Sequence, residues 1–150
     1  MKITLGDVQK LREETGLGVM ACRKALDEAK GDAKKARAIL AKKGEAVALK
    51  KADRKTSQGL IESYLHSSKI GVLIELNCET DFVSKNPEFK EFAHDLAMQI
   101  ASMDPRDVNE LLSQEFIKDP DLTIKDLLHQ KIQKIGENIK ISRFIRYQLN

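Results

Sequence analysis

The side chains able to do covalent or metal chemistry are scattered through this sequence. His66, His94 and His129 each stand alone, with no second ligand at metal-binding spacing. Cys22 and Cys78 form no CxxC pair, and each falls on an apolar face, where a thiol serves as a small core residue rather than a nucleophile. The carboxylates are numerous, but their spacing singles out no acid–base pair. Glycine-rich phosphate loops, a nucleophile elbow and the zinc-binding HExxH motif are all missing. These observations point away from an enzyme, a resident metal or a cofactor, and toward a protein that works by binding.

Two segments carry side chains suited to that task. In Gly16-Leu17-Gly18-Val19-Met20-Ala21-Cys22-Arg23-Lys24-Ala25-Leu26, a helical wheel sets Met20 about 160° from Cys22, among Lys24 and Asp27. A flexible thioether facing away from the packing stripe makes an adaptable docking surface. The plainer alternative is an isolated exposed apolar residue. In Asn77-Cys78-Glu79-Thr80-Asp81-Phe82-Val83-Ser84-Lys85-Asn86-Pro87, a strand ends, and a connection rather than a helix carries Phe82 and Val83 in polar company. Either Phe82 plugs the core, or it is held out beside a carboxylate. In the second case the pair could wedge into a partner and compete for polar contacts near a bound ion.

The elements that position these segments follow from apolar spacing and cap residues. Thr4 caps a first helix with Leu5, Val8 and Leu11 inward, which Gly16 ends. A second helix after Gly18 puts Val19, Cys22, Ala25, Leu26 and Ala29 on one face. Asp32 caps a third with Ala33, Ala36, Ile39 and Leu40 inward; Gly44 interrupts it, and Glu45–Ala52 resumes it. Lys50–Ser57 reads as a polar linker. Beyond it the apolar period changes from helical to alternating: Ile70, Val72, Ile74, Leu76 and Cys78 make a half-buried strand. Gly59–His66 is the strand before it, joined through Ser67-Ser68-Lys69. Asn86-Pro87 opens a helix with Phe89, Phe92, Ala93, Leu96, Ile100 and Met103 on one stripe, stopping near Asp104-Pro105. Arg106–Leu122 shows no clear pattern. Thr123 caps a further helix (Ile124, Leu127, Leu128, Ile132, Ile135) that Gly136 ends. The last segment reads as a third strand with Ile139, Ile141, Ile145, Tyr147 and Leu149 on one face and Arg143 as the exception. The expected fold class is α+β: an N-terminal three-helix bundle over residues 1–54, then an antiparallel three-stranded sheet packed with helices over 55–150.

Composition sets the outer limits. The chain has 150 residues, 41 % hydrophobic and 33 % charged, with 5 % aromatics and no Trp, so a large aromatic ligand cage is not expected. No apolar run approaches the roughly 18 residues of a membrane span, and the first residues lack a signal-peptide core. With two distant cysteines this reads as a reduced, intracellular protein. Up to Thr56 there are 15 Lys and Arg against 8 Asp and Glu; from Ser57 onward there are 11 against 15. A basic first unit joined to a mildly acidic second one suggests two electrostatic roles.

Three stretches together resemble the bacterial elongation factor Ts family. Leu11-Arg12-Glu13-Glu14-Thr15-Gly16 continuing through Leu26 is similar to its N-terminal signature, and Glu75-Leu76-Asn77-Cys78-Glu79-Thr80-Asp81-Phe82-Val83 to its core signature. Ile135-Gly136-Glu137-Asn138-Ile139, followed by Arg143, is similar to the motif opening its last core strand. They occur in family order and span nearly the whole chain. The resemblance implies a UBA-like helical domain before the α+β core. It implies a cytoplasmic guanine-nucleotide exchange factor for elongation factor Tu in translation elongation. In that reading Val19 and Met20 dock the bundle on the GTPase. Thr80, Asp81, Phe82 and Val83 carry the group that intrudes beside its Mg2+, so that GDP leaves. Family members often have Met where Val19 stands and Asp where Ala21 stands, which affects the detail of docking. The chain is short for the family, with one core unit and little room between Arg106 and Leu122 for a helical insertion. A homodimer that covers sheet surface or edge is therefore implied, with no direct nucleic-acid or membrane contact. The rivals are a nucleic-acid module on the basic stretch Lys34–Lys55, which lacks interleaved aromatics, and a ubiquitin-type binding domain, which leaves the core unexplained.

Overall fold

The computed structural model describes residues 2–150. Helix α1 (Leu5–Thr15) starts where Thr4 and Asp7 cap each other's backbone and ends on Gly16 in the left-handed conformation. Helix α2 (Val19–Glu28) follows Gly18, and α3 (Ala33–Lys51) starts at Asp32, whose carboxylate accepts from the amides of Lys34 and Lys35. Val8, Leu11, Leu17, Cys22, Ala25, Leu26, Ala36 and Leu40 close one apolar cluster. Three residues expected in it are outside: Leu5, Val19 and Ala33 are exposed. Each is the first residue of its helix, where the Cα–Cβ bond tilts toward the N-terminus and carries the side chain off the end of the stack.

Gly44 does not interrupt α3, which runs unbroken to Lys51, with Lys50 and Lys51 in its last turn rather than in a linker. Glycine here gives up about 1 kcal/mol of helix propensity relative to alanine. The gain is close approach to a later helix, α7 (Ile124–Ile135): a Cβ on Gly44 would lie 3.0 Å from Oε1 of Gln133 and 3.7 Å from the His129 carbonyl oxygen. Helix α3 serves two cores, since Ala48 near its end packs into the second cluster.

Strands β1 (Gln58–His66), β2 (Ile70–Cys78) and β5 (Ile139–Gln148) form an antiparallel sheet in the order β1-β2-β5. Ser67 and Ser68, both with positive φ, make the tight turn between the first two. Val72, Ile74, Leu76 and Cys78 face the core as expected. The last strand departs from its expected pattern. Glu75 pairs with Arg143 but Leu76 pairs with Ile141, so Ser142 is bulged out and the alternation flips there. Ile139 and Ile141 are buried, Phe144 and Arg146 point to the core side, and Ile145 and Tyr147 are outside with Arg143. Leu149 is exposed beyond the strand. The Ser142 hydroxyl donates to the Asn77 side-chain oxygen and fixes the bulge. Arg146, turned inward, donates from Nε and Nη2 to the Ala101 carbonyl at 3.3 and 3.0 Å.

That carbonyl belongs to α5 (Pro87–Met103), capped by Asn86 with Pro87 in its first turn. Phe89, Phe92, Ala93, Leu96 and Ile100 are fully buried. Met103 is exposed, because in the last turns the buried face has rotated toward Ala97 and Ala101. The patternless stretch contains α6 (Val108–Ser113) and a small hairpin, β3 (Glu115–Phe116) with β4 (Asp119–Thr123). Buried Gln99 holds that hairpin: its amide donates to the Glu115 carbonyl at 3.0 Å and its oxygen accepts from the Ile117 amide at 3.0 Å. Thr123 and Asp126 then cap α7 reciprocally, and Gly136 ends it at φ 85°. The fold is α+β, with a three-stranded antiparallel sheet and helices on one face. Among the described residues, no helix is long and apolar enough to cross a membrane.

Candidate partner-binding site

Strand β2 delivers the chain to Thr80, whose hydroxyl accepts from the Val83 amide at 3.3 Å and caps a single helical turn, α4 (Asp81–Ser84). The connection expected here is therefore helical, because the Thr80 and Ser84 hydroxyls bond to backbone at both ends of the turn. Its side chains divide sharply. Val83 packs against the sheet-side core, whereas Phe82 is 91 % exposed. A ring with that much water around it fills no core, so the plug alternative for Phe82 is excluded. Asp81 is exposed and lies 3.0 Å from the Lys85 ammonium, which holds its carboxyl below the ordinary aspartate value.

Below the turn, Glu137 reaches across from the segment that leads from Gly136 into β5. Its Oε1 accepts from the amides of Glu79 and Thr80 at 3.1 and 3.0 Å, and its Oε2 accepts from the Thr80 hydroxyl at 2.6 Å. The exchange is reciprocal: the Glu79 carboxylate accepts from the Asn138 amide at 2.7 Å and lies 3.6 Å from Arg54. Asn138 in turn donates from Nδ2 to the Arg54 carbonyl at 2.9 Å, and the Lys51 ammonium donates to the Gly136 carbonyl at 2.7 Å. The Cys78 thiol donates to the Thr80 carbonyl at 3.2 Å. Burial, and next the Glu137 carboxylate, push that thiol up to about 11, so it is no nucleophile at neutral pH. Glu137 is not among the contact residues expected from the sequence; its signal there is its place in the Ile135-Gly136-Glu137-Asn138-Ile139 stretch.

The other expected contact residues lie on the bundle. Met20 is 65 % exposed and Val19 is 45 % exposed, side by side in the first turn of α2. Thr80–Val83 and Val19–Met20 are not brought into one cluster: α4 packs on β1, β2 and α5, and α2 packs on α1 and α3. They are two exposed points joined by the α3–α7 packing and the Lys51–Arg54 segment. A third surface is the sheet face that the single core unit leaves uncovered, whose residues the sequence reading does not assign to it. On the sheet face away from the helices, Ile61, Leu65, Leu73, Ile145 and Tyr147 are all exposed and line two shallow grooves. Ile61 and Leu65 have the alternating spacing of this face, and the bulge at Ser142 brings Ile145 and Tyr147 to it, opposite to the side their spacing predicts. Among the described residues, no group of three or more His, Cys, Asp or Glu is placed to hold a metal ion.

Residues 79–150 match the family model described as elongation factor TS. Three similar relatives are each named elongation factor Ts. That of Carboxydothermus hydrogenoformans is 45 % identical over 193 aligned positions, covering 98 % of this chain and 89 % of the relative. That of Alkaliphilus metalliredigens is 43 % identical, covering 99 % and 90 %. That of Fervidobacterium nodosum is 44 % identical, covering 99 % of both. With 193 aligned positions against 150 residues here, at least 43 positions are filled in the first relative and empty in this chain. Similarity of this depth across nearly both full lengths shows that the chain belongs to the elongation factor Ts family of translation elongation factors.

Proposed function

We propose that this chain is a guanine-nucleotide exchange factor that binds elongation factor Tu·GDP and promotes GDP release. The observation that carries this reading is Phe82, 91 % exposed on a capped turn beside Asp81. An aromatic held out in this way enters a partner at little ordering cost. Wedged next to the partner's bound Mg2+, Phe82 and Asp81 weaken metal and phosphate contacts, and Thr80 and Val83 fix the wedge from below. The bundle, residues 1–54, acts as a UBA-like domain that docks through Val19 and Met20. The core, residues 55–150, carries the wedge. Driving exchange needs no covalent step. A factor that binds the nucleotide-free GTPase more tightly than its GDP form must weaken GDP binding by the same factor. The work belongs to the cytoplasm, where translation takes place, with no direct nucleic-acid or membrane contact. Two copies pair through the outer sheet face, where five large apolar side chains would otherwise face water.

The deciding experiment is release of labelled GDP from purified elongation factor Tu, with and without this protein. Faster release with the protein present is expected. Release at the intrinsic rate, at concentrations where the two proteins bind, would overturn the reading.

A further inference from the structure

We infer that Glu137 is a positioning residue for the wedge: through Thr80 it fixes the direction in which Phe82 projects. This rests on the exchange-factor reading above and extends it to a residue outside the contact set proposed there. Strand β2 is held by its neighbours up to Cys78, and α4 has only one turn. A single turn has little stability of its own, since helix nucleation is unfavourable. Its orientation therefore depends on what grips the two residues between strand and turn. Glu137 grips both: one oxygen takes the amides of Glu79 and Thr80, and the other takes the hydroxyl of Thr80. That hydroxyl is the same group that caps α4 through the Val83 amide. The chain of contacts thus runs from Glu137 to the cap, from the cap to the turn, and from the turn to Phe82.

The local conformation of the Gly136 turn makes the grip possible. Gly136 adopts φ 85°, which favours glycine, and it turns the chain so that Glu137, two residues before β5, lies beside the end of β2, where Cys78 pairs with Ile139. The neighbouring bonds tie the same turn to the exit of the bundle. Lys51 holds the Gly136 carbonyl, and Asn138 holds the carbonyl of Arg54. One three-residue turn therefore anchors the wedge and, on its other side, the segment leading from α3, where the bundle joins the core.

A residue that acts only by positioning should lose its effect when the group it positions is gone. The test is GDP release from elongation factor Tu, with melting curves, for the wild type, Glu137→Ala, Glu137→Gln, Phe82→Ala and the Phe82→Ala/Glu137→Ala double variant. Glu137→Ala is expected to fold and to slow release about tenfold, the scale seen when a supporting residue is removed from behind a functional one. Glu137→Gln keeps an acceptor for the two amides and can donate to Thr80, so it should restore most of the rate. In the double variant, Glu137→Ala should add almost nothing to the effect of Phe82→Ala. Equal slowing by Glu137→Ala in both backgrounds would overturn the inference. So would wild-type release by Glu137→Ala when Phe82→Ala is slow, and in that case the exchange-factor reading would stand. A normal rate for Phe82→Ala would overturn the wedge and this inference together. Should Glu137→Ala fail to fold, Glu137→Asp takes its place in the same comparison, since it keeps the charge but draws the carboxylate back by one methylene.

Discussion

Leaving Phe82 in water forgoes the roughly 1.5–3 kcal/mol that burying such a ring contributes to folding, so its own chain gains nothing from the side chain. Phe82→Ala should therefore leave the melting temperature of the free protein nearly unchanged. It should slow GDP release from elongation factor Tu by about tenfold or more, or roughly 1.4 kcal/mol lost from the metal-loosened state. Melting and release measured on the same variant decide the matter, and a large loss of stability with normal release would contradict the 91 % exposure of the ring. Met20 invites a parallel test on the other contact. With its side chain outside the cluster formed by Cys22, Ala25 and Leu26, Met20→Asp should fold normally. Binding to the GTPase should weaken by about 2 kcal/mol or more, as a charge is desolvated where an apolar contact stood. Titration calorimetry would read the loss; unchanged affinity would remove Met20 from the interface. The sequence alone places Met20, because Cys22, Ala25 and Leu26 define the inner face of its helix, but it leaves Phe82 open between a core plug and an exposed ring. What supports its turn is not legible locally, because the carboxylate that takes the Thr80 amide and hydroxyl lies 57 positions away, at Glu137.

Elements were legible where local chemistry decides them. Thr4, Asp32, Asn86 and Thr123 start their helices as read, and Gly16 and Gly136 end theirs, because a cap is a contact between residues a few positions apart. Features set by distant contacts were not legible. Gly44 looked like a break, yet it is the point where α3 approaches α7. The Ser142 bulge flips half of β5 and can be recognised only against the register of β2. The Arg106–Leu122 stretch is organised by Gln99, which lies outside it. The α3–α7 contact also carries a pH dependence. Burial, and next Lys125, hold His129 below its ordinary value of 6.5, while Glu45 on α3 and Asp126 pull it back up. A histidine kept neutral in the fold takes up its proton first in the unfolded chain. Its contribution to stability is therefore present above 6.5 and is lost as the pH falls from there through the lower folded value. Melting temperatures between about pH 5 and 7 should fall on the acid side in the wild type and fall less steeply in His129→Gln. Parallel curves would show that the histidine is as free in the fold as in the unfolded chain.

At the scale of the whole molecule, the sheet is covered on one side only. Helix α5 packs on the inner face, and the outer face presents Ile61, Leu65, Leu73, Ile145 and Tyr147 around the Glu75–Arg143 ion pair, whose atoms are 2.8 Å apart. Residue pairing places Ile145 opposite Leu73, and Tyr147 opposite Gly71, whose neighbour across β1 is Leu65. The result is a continuous apolar strip along the strands, which a single small chain leaves in water at a cost in solubility. A second copy related by a two-fold axis would set strip on strip, sheet against sheet, with each Leu73 near the centre. Such an interface would leave the wedge free, because Phe82 projects from the end of β2 and not from its face. Sedimentation at micromolar concentration should then give twice the chain mass. Leu73→Lys should give the mass of one chain, since burying two lysines against apolar surface at the centre of the strip is strongly unfavourable. Because the wedge and Met20 lie off this face, the monomeric variant should still bind the GTPase. A wild-type protein that sediments as a monomer would refute the pairing and leave the apolar strip to some other partner.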